Sequence, residues 1–376
     1  MRSDSDTTVA PTATNRIDNT FRFGRIGLVV LLAVALLGFP LLGVNSFIMS
    51  VAVVVMSYAC FATGWNFSGG FTGYMSLGHA SYTGLGGYAT ALLMLRLDVH
   101  PWLALLIGAL GVAVLSIPIG FASLRVRGAS YVIVSIALVL ILLLVFQSWS
   151  SVTGGSNGLR VPRPFGPEVL RPEQHVLFYY LHIALLVVML ALWWAIDRSR
   201  FGAGLRAIRE DEDKAQSLDI ATFAYKLGVY VISAFFTAVA GGLYALWFGF
   251  LDPIFQFSIL IGSYMVLMSL LGGIRSLFGP VLGAIVVGVG LEFFKAQYGD
   301  TQFHLVALGL LLVIVVLVMP EGVIPTVAQQ LNRLRPTATS IREETAEELA
   351  ERRRSQAAQD SSEISGVDTT TSGGAR

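Results

Sequence analysis

The chain has 376 residues, of which 55% are hydrophobic and only 13% are charged. That balance excludes an ordinary water-soluble domain and predicts an all-α protein that crosses a membrane several times. The formal net charge of +1 at pH 7 indicates nothing about partners. The lipid bilayer is the partner that the composition predicts, and no nucleic-acid partner is expected.

Apolar stretches recur at about the 20-residue length with which a helix spans a bilayer. We expect about ten transmembrane helices, within a range of roughly 8 to 10. The first two stretches and the short eighth are the weakest predictions, because glycine and proline can break a span or make it re-enter. The stretches lie at 26–45, 47–64, 75–95, 101–122, 131–149, 176–196, 226–250, 258–272, 277–294 and 303–319.

Both ends of the chain are polar. Residues 1–25 lack the short apolar core and cleavage site of a secretory signal, so we expect a disordered cytoplasmic tail there. Residues 321–376 are also predicted to form a largely disordered cytoplasmic tail, in which the capping-box spacing of Ser340 and Glu343 favours one short solvated helix. The membrane domain is therefore assigned to residues 26–320.

The basic residues indicate the orientation of the spans. Cytoplasmic connections between membrane helices carry an excess of Arg and Lys. When the amino terminus is set inside, most basic residues near span ends fall on the cytoplasmic side, and both termini are predicted to be cytoplasmic. The predicted cytoplasmic connections are 65–74, 123–130, 197–225 and 273–276, and the basic residues predicted outside are Arg96, Arg160, Arg163, Arg171 and Lys295.

The sequence lacks the common signatures of enzyme chemistry. None of its three lysines lies in a Gly-Lys-Ser/Thr phosphate loop, so the chain is not expected to hydrolyse ATP by that route. The usual zinc, CxxC and serine-hydrolase motifs are missing, no two histidines have metal-ligand spacing, and Cys60 has no disulfide partner. We expect no catalytic residue, no bound cofactor and no metal site.

Ionisable residues are scarce within the apolar stretches. Glu292 is the clearest, and it lies near the outer end of its helix, three residues before Lys295. We interpret it as a rim residue that pairs with Lys295 or with solvent. Ion-coupled carriers usually keep such groups near the membrane midplane, so this scarcity argues against one.

The stretch GGFTGYMSLGHASYTGLGGY, residues 69–88, is called here the glycine-rich segment. Its small residues either let helices approach closely or allow a non-helical turn at membrane depth that lines a solute pathway. His79, between Gly78 and Ala80, either forms an interhelical hydrogen bond or takes part directly in solute passage. The candidate pathway residues are Ser76, Gly78, His79, Tyr82 and Gly84.

Four blocks together resemble one transporter family. SGGFTGYMSLGHASYTGLGGYATALL resembles the first signature of the permease subunits of branched-chain amino-acid ABC importers of the LivM type. Three later blocks resemble, in the family's order, its central helix with the loop after it, its cytoplasmic coupling segment and its late glycine-rich helix pair. They read RGASYVIVSIALVLILLLV with TGGSNGL, SRFGAGLRAIREDEDKAQSLDI, and LLGGIRSLFGPVLGAIVVG. The resemblance covers roughly residues 60–320.

The resemblance implies a helical permease half that pairs with a homologous half in a bacterial inner membrane. It further implies two ABC ATPase subunits, which would hydrolyse the ATP, and an extracytoplasmic solute-binding protein. The implied cargo is a branched-chain or other hydrophobic amino acid. Urea and short-amide permeases share these blocks, while an ion-coupled secondary carrier and an intramembrane enzyme are alternatives of other classes.

Residues 198–225, called here the charged segment, match the family's coupling segment. Its charges are interrupted by Ala207, Ile208 and Ala215, as in an amphipathic helix that seats its apolar side in a groove on a partner. Alternatively, such a helix lies on lipid headgroups. Asp219 stands where the family commonly has glycine, and we expect the left-handed backbone that aspartate tolerates. The implied ATPase-coupling residues are Arg206, Arg209, Glu210, Asp211, Glu212, Lys214 and Ala215.

The loop at 150–175 is predicted to face outside. Its first part resembles the family's TGG.NGL element and forms either the outer mouth or a docking surface for a binding protein. The competing interpretation is a stiff, proline-containing connection between two spans. The candidate residues are Thr153, Gly154, Gly155, Asn157 and Gly158.

Overall fold

The computed structural model describes residues 34–166 and 169–299, together with the isolated residues 306, 309, 310 and 313. The tails predicted at 1–25 and 321–376 lie outside the described residues. Residues 26–33 of the first predicted span and most of the last one lie outside them as well.

The described part of the chain is almost entirely helical. Its main helices are α1 (Ser46–Thr72), α2 (Ala80–Leu97), α3 (Pro101–Ser123), α4 (Ala129–Ser148), α5 (Arg171–Arg198), α6 (Arg200–Glu210), α7 (Glu212–Ser217), α8 (Thr222–Phe248), α9 (Ile259–Gly272) and α10 (Gly279–Tyr298). Single helical turns lie at Phe39–Leu42, Ser150–Thr153, Gly155–Asn157 and Pro253–Gln256. Two short strands, β1 (Leu159–Arg160) and β2 (Phe250–Leu251), pair antiparallel.

Seven of the described helices are long and apolar enough to cross a membrane. They are α1, α3, α4, α5, α8, α10, and α9 together with the turn before it. The span predicted at 75–95 is α2, which begins only at Ala80 and is less apolar because of its glycine and hydroxyl residues. The all-α membrane fold is therefore confirmed, whereas the predicted count of about ten spans is not.

Helix α1 lies at the centre of the bundle. It packs against α5, α8, α9 and α10, and residues 55–72 are all buried. A helix that is covered on every side needs no separate polar face. This explains why the sequence of α1 is apolar all round and gives no amphipathic signal.

Helices α2 and α8 approach each other very closely. A Cβ atom added to Gly241 would lie 2.2 Å from the carbonyl oxygen of Thr83, and one added to Gly86 would lie 2.1 Å from that of Ala238. Lipid supplies no hydrophobic force between helices, so such contacts between small residues hold membrane helices together. The close-packing role of the glycine-rich segment is thus confirmed at Gly86.

Hydroxyl groups add polar contacts between buried helices. Ser233 of α8 donates a hydrogen bond to the carbonyl of Gly64 at 2.6 Å. The Ser57 hydroxyl of α1 lies 3.0 Å from Nε2 of His182 in α5. Each such interhelical bond contributes on the order of 1 kcal/mol in a membrane, so these contacts add to the packing of the small residues.

The connections between helices gather at the two ends of α8. At the Thr222 end, contacts join the turn after α1 to the connections predicted at 123–130, 197–225 and 273–276. The connection predicted at 65–74 is wrong up to Thr72, because α1 continues to that residue. At the Phe248 end, Arg96 donates to the carbonyl of Ser151, and β1 pairs with β2. The bundle therefore groups its connections as the orientation analysis predicts, while its direction across the membrane stays a prediction.

Candidate functional site

The charged segment folds into α6 and α7, with Asp211 between them. The Asp211 carboxylate accepts hydrogen bonds from the backbone N–H groups of Asp213, at 3.1 Å, and Lys214, at 3.0 Å, and so caps α7. Hydrogen bonds from the backbone and side chain of Lys214 lower the pKa of Asp211. Ser199 caps α6 in the same manner by accepting from Gly202.

The apolar side of α6 is buried within this chain. Leu205 is fully buried and Ile208 is 3% exposed, on a helix that packs against α1, α5 and α8. Ala215 of α7 is 2% exposed. The expectation that this apolar side seats in a groove on a partner is therefore wrong, because helices of the same chain already cover it. The polar side and the turn after α7 form the surface instead.

Arg209 has a structural contact that the sequence did not indicate. Its guanidinium donates a hydrogen bond to the carbonyl of Gly70 in the last turn of α1, where the helix dipole favours a positive charge. Burial lowers the pKa of Arg209. Arg209 thus fixes the end of α1 to the charged segment.

Other predicted coupling residues form ion pairs on the surface. Glu210 lies 3.3 Å from Arg275, and Arg206 lies 2.6 Å from Asp197. The Lys214 side chain is 85% exposed and pairs with the carboxylate that caps α7. Exposed ion pairs add little to stability, so these side chains can exchange partners without unfolding the segment.

Glu212 lies at the centre of an ionic cluster, which we define as Tyr74, Arg127, Glu212, Asp213 and Lys226. One carboxylate oxygen of Glu212 lies 2.5 Å from Lys226 Nζ and 3.3 Å from Arg127, and the other accepts a hydrogen bond from the Tyr74 hydroxyl at 2.7 Å. Lys226 also donates to the Tyr74 hydroxyl at 3.0 Å. The Glu212 and Lys226 side chains are only 12% and 3% exposed. The cluster joins α7, α8 and two connections at one end of the bundle.

Opposing effects act on the Glu212 carboxylate. Burial raises its pKa, but the hydrogen bonds from Lys226 and Tyr74 and the charges of Lys226 and Arg127 outweigh burial, so the pKa of Glu212 is lowered. The hydrogen bond to Asp213 and the charge of Glu212 raise the pKa of Arg127. Glu212 is therefore held as a carboxylate at neutral pH.

Sequence reasoning named Glu212 but missed its partners. Lys226 was a lone lysine at the start of an apolar stretch, and such a residue indicates a paired charge because a buried unpaired ammonium is costly. Tyr74 offered no signal, since it lies 138 residues from Glu212 in the sequence.

The surface after α7 is called here the exposed tip, residues 213–219. Leu218 is 74% exposed, and Asp219 has a φ of 60°. The left-handed conformation expected at Asp219 is thus present. The exposed tip presents one large apolar side chain among charged and polar neighbours.

The glycine-rich segment contains a turn between α1 and α2 that is exposed at Gly73 and Met75 and buried at Ser76, Gly78 and His79. Helix α1 ends at Gly73, whose φ is 75°, and residues 73–79 are not helical. Trp65 Nε1 donates to the Ser76 carbonyl at 2.6 Å, and the backbone N–H of Leu77 donates to Ser135 Oγ at 3.1 Å. Non-helical backbone is tolerated in a membrane protein where protein groups satisfy it. The predicted non-helical turn is present, whereas its depth in the membrane and its place in a solute pathway stay predictions.

His79 lies at the start of α2 and is fully buried. Its ring packs edge-on against Tyr82 and Tyr230, with ring centres 5.7 and 5.6 Å away. Neither ring nitrogen has a hydrogen-bond partner among the described residues. The predicted interhelical hydrogen bond is therefore not found there, and aromatic packing takes its place.

The other candidate pathway residues are buried in close contacts. A Cβ on Gly84 would lie 2.7 Å from the Phe257 ring, and one on Gly78 would lie 3.0 Å from the Ser135 carbonyl. Ser76 is 1% exposed, and Tyr82 donates to the Tyr230 hydroxyl at 2.6 Å. These residues pack the interior of the chain, and their place in a solute pathway stays a prediction.

The first part of the loop at 150–175 forms a compact turn. Thr153 is buried and donates to the Phe146 carbonyl at 2.6 Å, and Gly154, Gly155 and Gly158 have φ values of 78°, 58° and 71°. Asn157 is exposed at the surface of the turn. A Cβ on Gly158 would lie 2.6 Å from the carbonyl of Leu251 in β2. Glycine is needed here for the turn itself, whereas a mouth or docking role stays a prediction.

Glu292 and Lys295 form the predicted pair, with Lys295 Nζ 2.8 Å from the Glu292 carboxylate.

A cavity of about 10 Å³ lies between α1, α2, α8 and α9, beside Tyr58, Thr83, Tyr244 and Gln256. That volume suits about one water molecule and not an amino acid.

The apolar helices and the glycine contacts between them define this chain as a multi-pass helical membrane protein. The family model described as "Branched-chain amino acid transport system / permease component" matches residues 47–316. The chain belongs to this family of permeases.

Curated relatives cover most of the chain. It is 30% identical to the high-affinity branched-chain amino acid transport system permease protein LivM of Escherichia coli, over 76% of this chain and 71% of that one. It is 28% identical to the permease protein LivH of Salmonella typhimurium, over 71% of this chain and 91% of that one. A fructose import permease protein, FrcC of Rhizobium meliloti, is 25% identical over 38% of this chain. No solved structure matches the chain.

Proposed function

We propose that this chain is one permease subunit of an ABC importer that carries branched-chain or other hydrophobic amino acids across the bacterial inner membrane. The observation that carries the proposal is the family match to residues 47–316, which includes α1 to α10 apart from one residue at the start of α1. Relatives named as branched-chain amino acid permeases, at 28–30% identity, support the cargo.

In this proposal, two separate ABC ATPase subunits supply the free energy, and this chain binds no cofactor. The lack of a phosphate-loop lysine supports a division of labour between subunits. Similarity to both LivM and LivH supports a complex of two homologous permease halves. An extracytoplasmic binding protein would deliver the solute on the opposite side, where the loop at 150–175 lies.

We further propose that the exposed tip contacts an ATPase at the cytoplasmic end. Leu218 is the apolar anchor, and the exposed charges of Asp213 and Lys214 set the register around it. Central apolar anchors within a polar rim are the usual pattern at protein interfaces. The ion pairs of Arg206 and Glu210 flank this surface.

The cargo is tested with the complete complex in liposomes, loaded with its binding protein. Leucine is expected to stimulate both ATP hydrolysis and uptake, with urea and fructose as parallel arms. Stimulation by urea and not by leucine would refute the amino-acid cargo and favour a short-amide permease. Stimulation by fructose alone would refute it in favour of a sugar.

Docking is tested by Leu218→Ser, which we expect to reduce recovery of the ATPases with the purified permease. Ile254→Ser is the matched control, because Ile254 is 58% exposed at the opposite end of the bundle. Equal recovery of the ATPases with both variants would contradict docking at the exposed tip.

An ion-coupled carrier is the competing class. The pairing of Glu292 with Lys295 leaves neither group free for an ion, which supports the ABC importer. Solute uptake by this chain alone, in ATP-free vesicles under an ion gradient, would instead establish the carrier.

A further inference from the structure

Of the three charged residues of α7, one points inward while the other two face solvent. The Asp213 and Lys214 side chains are 80% and 85% exposed, whereas the Glu212 side chain is 12% exposed. The carboxylate of Glu212 therefore connects the exposed tip, which begins at the next residue, with partly buried side chains of other elements. A force on the exposed tip acts on the contacts of this carboxylate.

Those contacts reach three other parts of the fold. Tyr74, bound at 2.7 Å, begins the non-helical stretch of the glycine-rich segment. Lys226, bound at 2.5 Å, lies in the first turns of α8, and Arg127, at 3.3 Å, lies in the connection between α3 and α4. Tyr74 and Arg127 both lie in non-helical connections, but only the connection that holds Tyr74 belongs to the glycine-rich segment.

The non-helical stretch ends at His79, where α2 begins. Residues 73–79 are held by contacts with side chains, including those of Trp65 and Ser135. Loop residues of this kind absorb the backbone changes of hinge motions, while helices move as rigid bodies. A displacement of Tyr74 can therefore reach α2 and the buried tyrosines around His79 without breaking a helix.

Arg209 provides a second link between the charged segment and the glycine-rich segment, but of a different kind. It donates to the carbonyl of Gly70 within the last turn of α1. That bond joins two helices rigidly and does not touch the non-helical stretch. Glu212 is the residue with a direct hydrogen bond to it.

We propose that Glu212 is a positioning residue that transmits movement of the exposed tip to the glycine-rich segment through the hydroxyl of Tyr74. This inference rests on the proposed function, since it assigns a route for work done by the ATPases. Glu212 does not touch the solute in this scheme. It sets how much solute moves for each ATP that is hydrolysed.

The experiment uses the complete complex in liposomes and measures leucine transported per ATP hydrolysed. Tyr74→Phe removes the hydroxyl that bonds Glu212 and keeps the ring, which packs edge-on against Tyr131 at 5.0 Å. Glu212→Gln removes the charge and keeps the size of the side chain. Glu292→Gln is the matched control, because Glu292 is a partly buried glutamate that also pairs with a lysine but lies in α10, outside the charged segment.

We expect Tyr74→Phe and Glu212→Gln each to lower the transport ratio about tenfold, as for coupling between two distant sites. ATP hydrolysis and recovery of the ATPases should stay within about twofold of the unsubstituted complex, and Glu292→Gln should keep the ratio. A merely structural role would reduce transport and hydrolysis together and leave the ratio unchanged.

Two results would overturn the inference. One is an unchanged ratio in Tyr74→Phe, which decides the matter even if Glu212→Gln fails to fold. The other is an equal loss in Glu292→Gln, which would show that the ratio falls whenever a partly buried, paired glutamate is neutralised and that it does not depend on Glu212. If the unsubstituted complex shows no leucine uptake, the proposed function itself fails, and that outcome is recognised before any variant is compared.

Discussion

The contact between Gly241 and Thr83 gives a stability prediction with a definite magnitude. Gly241→Ala places a Cβ atom 2.2 Å from the backbone carbonyl oxygen of Thr83, whereas ordinary contact begins near 3.4 Å, so α2 and α8 must separate by about 1.2 Å. The obstacle is backbone, and no side-chain rotation can relieve it.

Two opposing contributions determine how far Gly241→Ala lowers the free energy of unfolding. Overpacking a well-packed interior costs about 1–3 kcal/mol, and a contact with backbone belongs at the upper end. Replacing glycine by alanine within a helix returns about 1 kcal/mol. We therefore expect Gly241→Ala to lower the free energy of unfolding by about 2 kcal/mol.

The assay is thermal unfolding of the full chain in detergent, followed by size-exclusion chromatography of what remains folded. For a chain of 376 residues, a loss of about 2 kcal/mol corresponds to a fall in Tm of about 2–4 °C. Gly290→Ala is the matched control in α10, because an added Cβ meets nothing within 4 Å there, and its Tm should be unchanged or higher. Equal Tm values for the two variants would refute the close approach of α2 and α8.

The remaining predictions concern charges and one ring. Arg209→Glu should lower Tm, because it places a negative charge beside the carboxyl end of α1 at Gly70. Glu210→Arg should leave Tm unchanged, because Glu210 forms only an exposed ion pair. Equal falls in Tm would contradict the stabilising contact between Arg209 and Gly70. Glu212→Gln should have a lower Tm than the natural chain at neutral pH, because the basic and tyrosine partners of Glu212 stabilise its ionised form. This difference in Tm should shrink as pH falls below about 4.5 and through the lowered pKa of Glu212. A difference that grows in acid would contradict this. His79→Asn should assemble normally but lose about 1 kcal/mol of ring packing, and a selective loss of uptake at unchanged Tm would assign His79 to the pathway instead.

Local signals predicted most of the helical spans. The length and apolar character of a stretch are properties of contiguous residues, so α3, α5 and α8 are recognisable without knowledge of their neighbours. The start of α2 is different, because the preceding turn depends on Trp65 and Ser135, which satisfy its backbone from elsewhere in the fold. The prediction from contiguous residues therefore placed the start of α2 at position 75, five residues before its actual start at Ala80.

In the charged segment, too, properties of single residues were predictable and properties that depend on distant residues were not. Asp219 was predictable because tolerance of left-handed backbone belongs to the residue itself. The inward direction of Glu212 was not, since it depends on Tyr74, 138 residues away, and on the side of α6 that Leu205 buries. The sequence could show that charges gather in this segment, but not which of them serve the fold and which face a partner.

The burial of Leu205 and Ile208 has a consequence for assembly. An element that finishes folding against its own bundle offers a pre-organised surface, so a subunit that docks there need not bear the entropy of ordering it. Recognition at the exposed tip is then rigid-body recognition, and the speed of complex formation is governed by encounter and orientation rather than by a folding step.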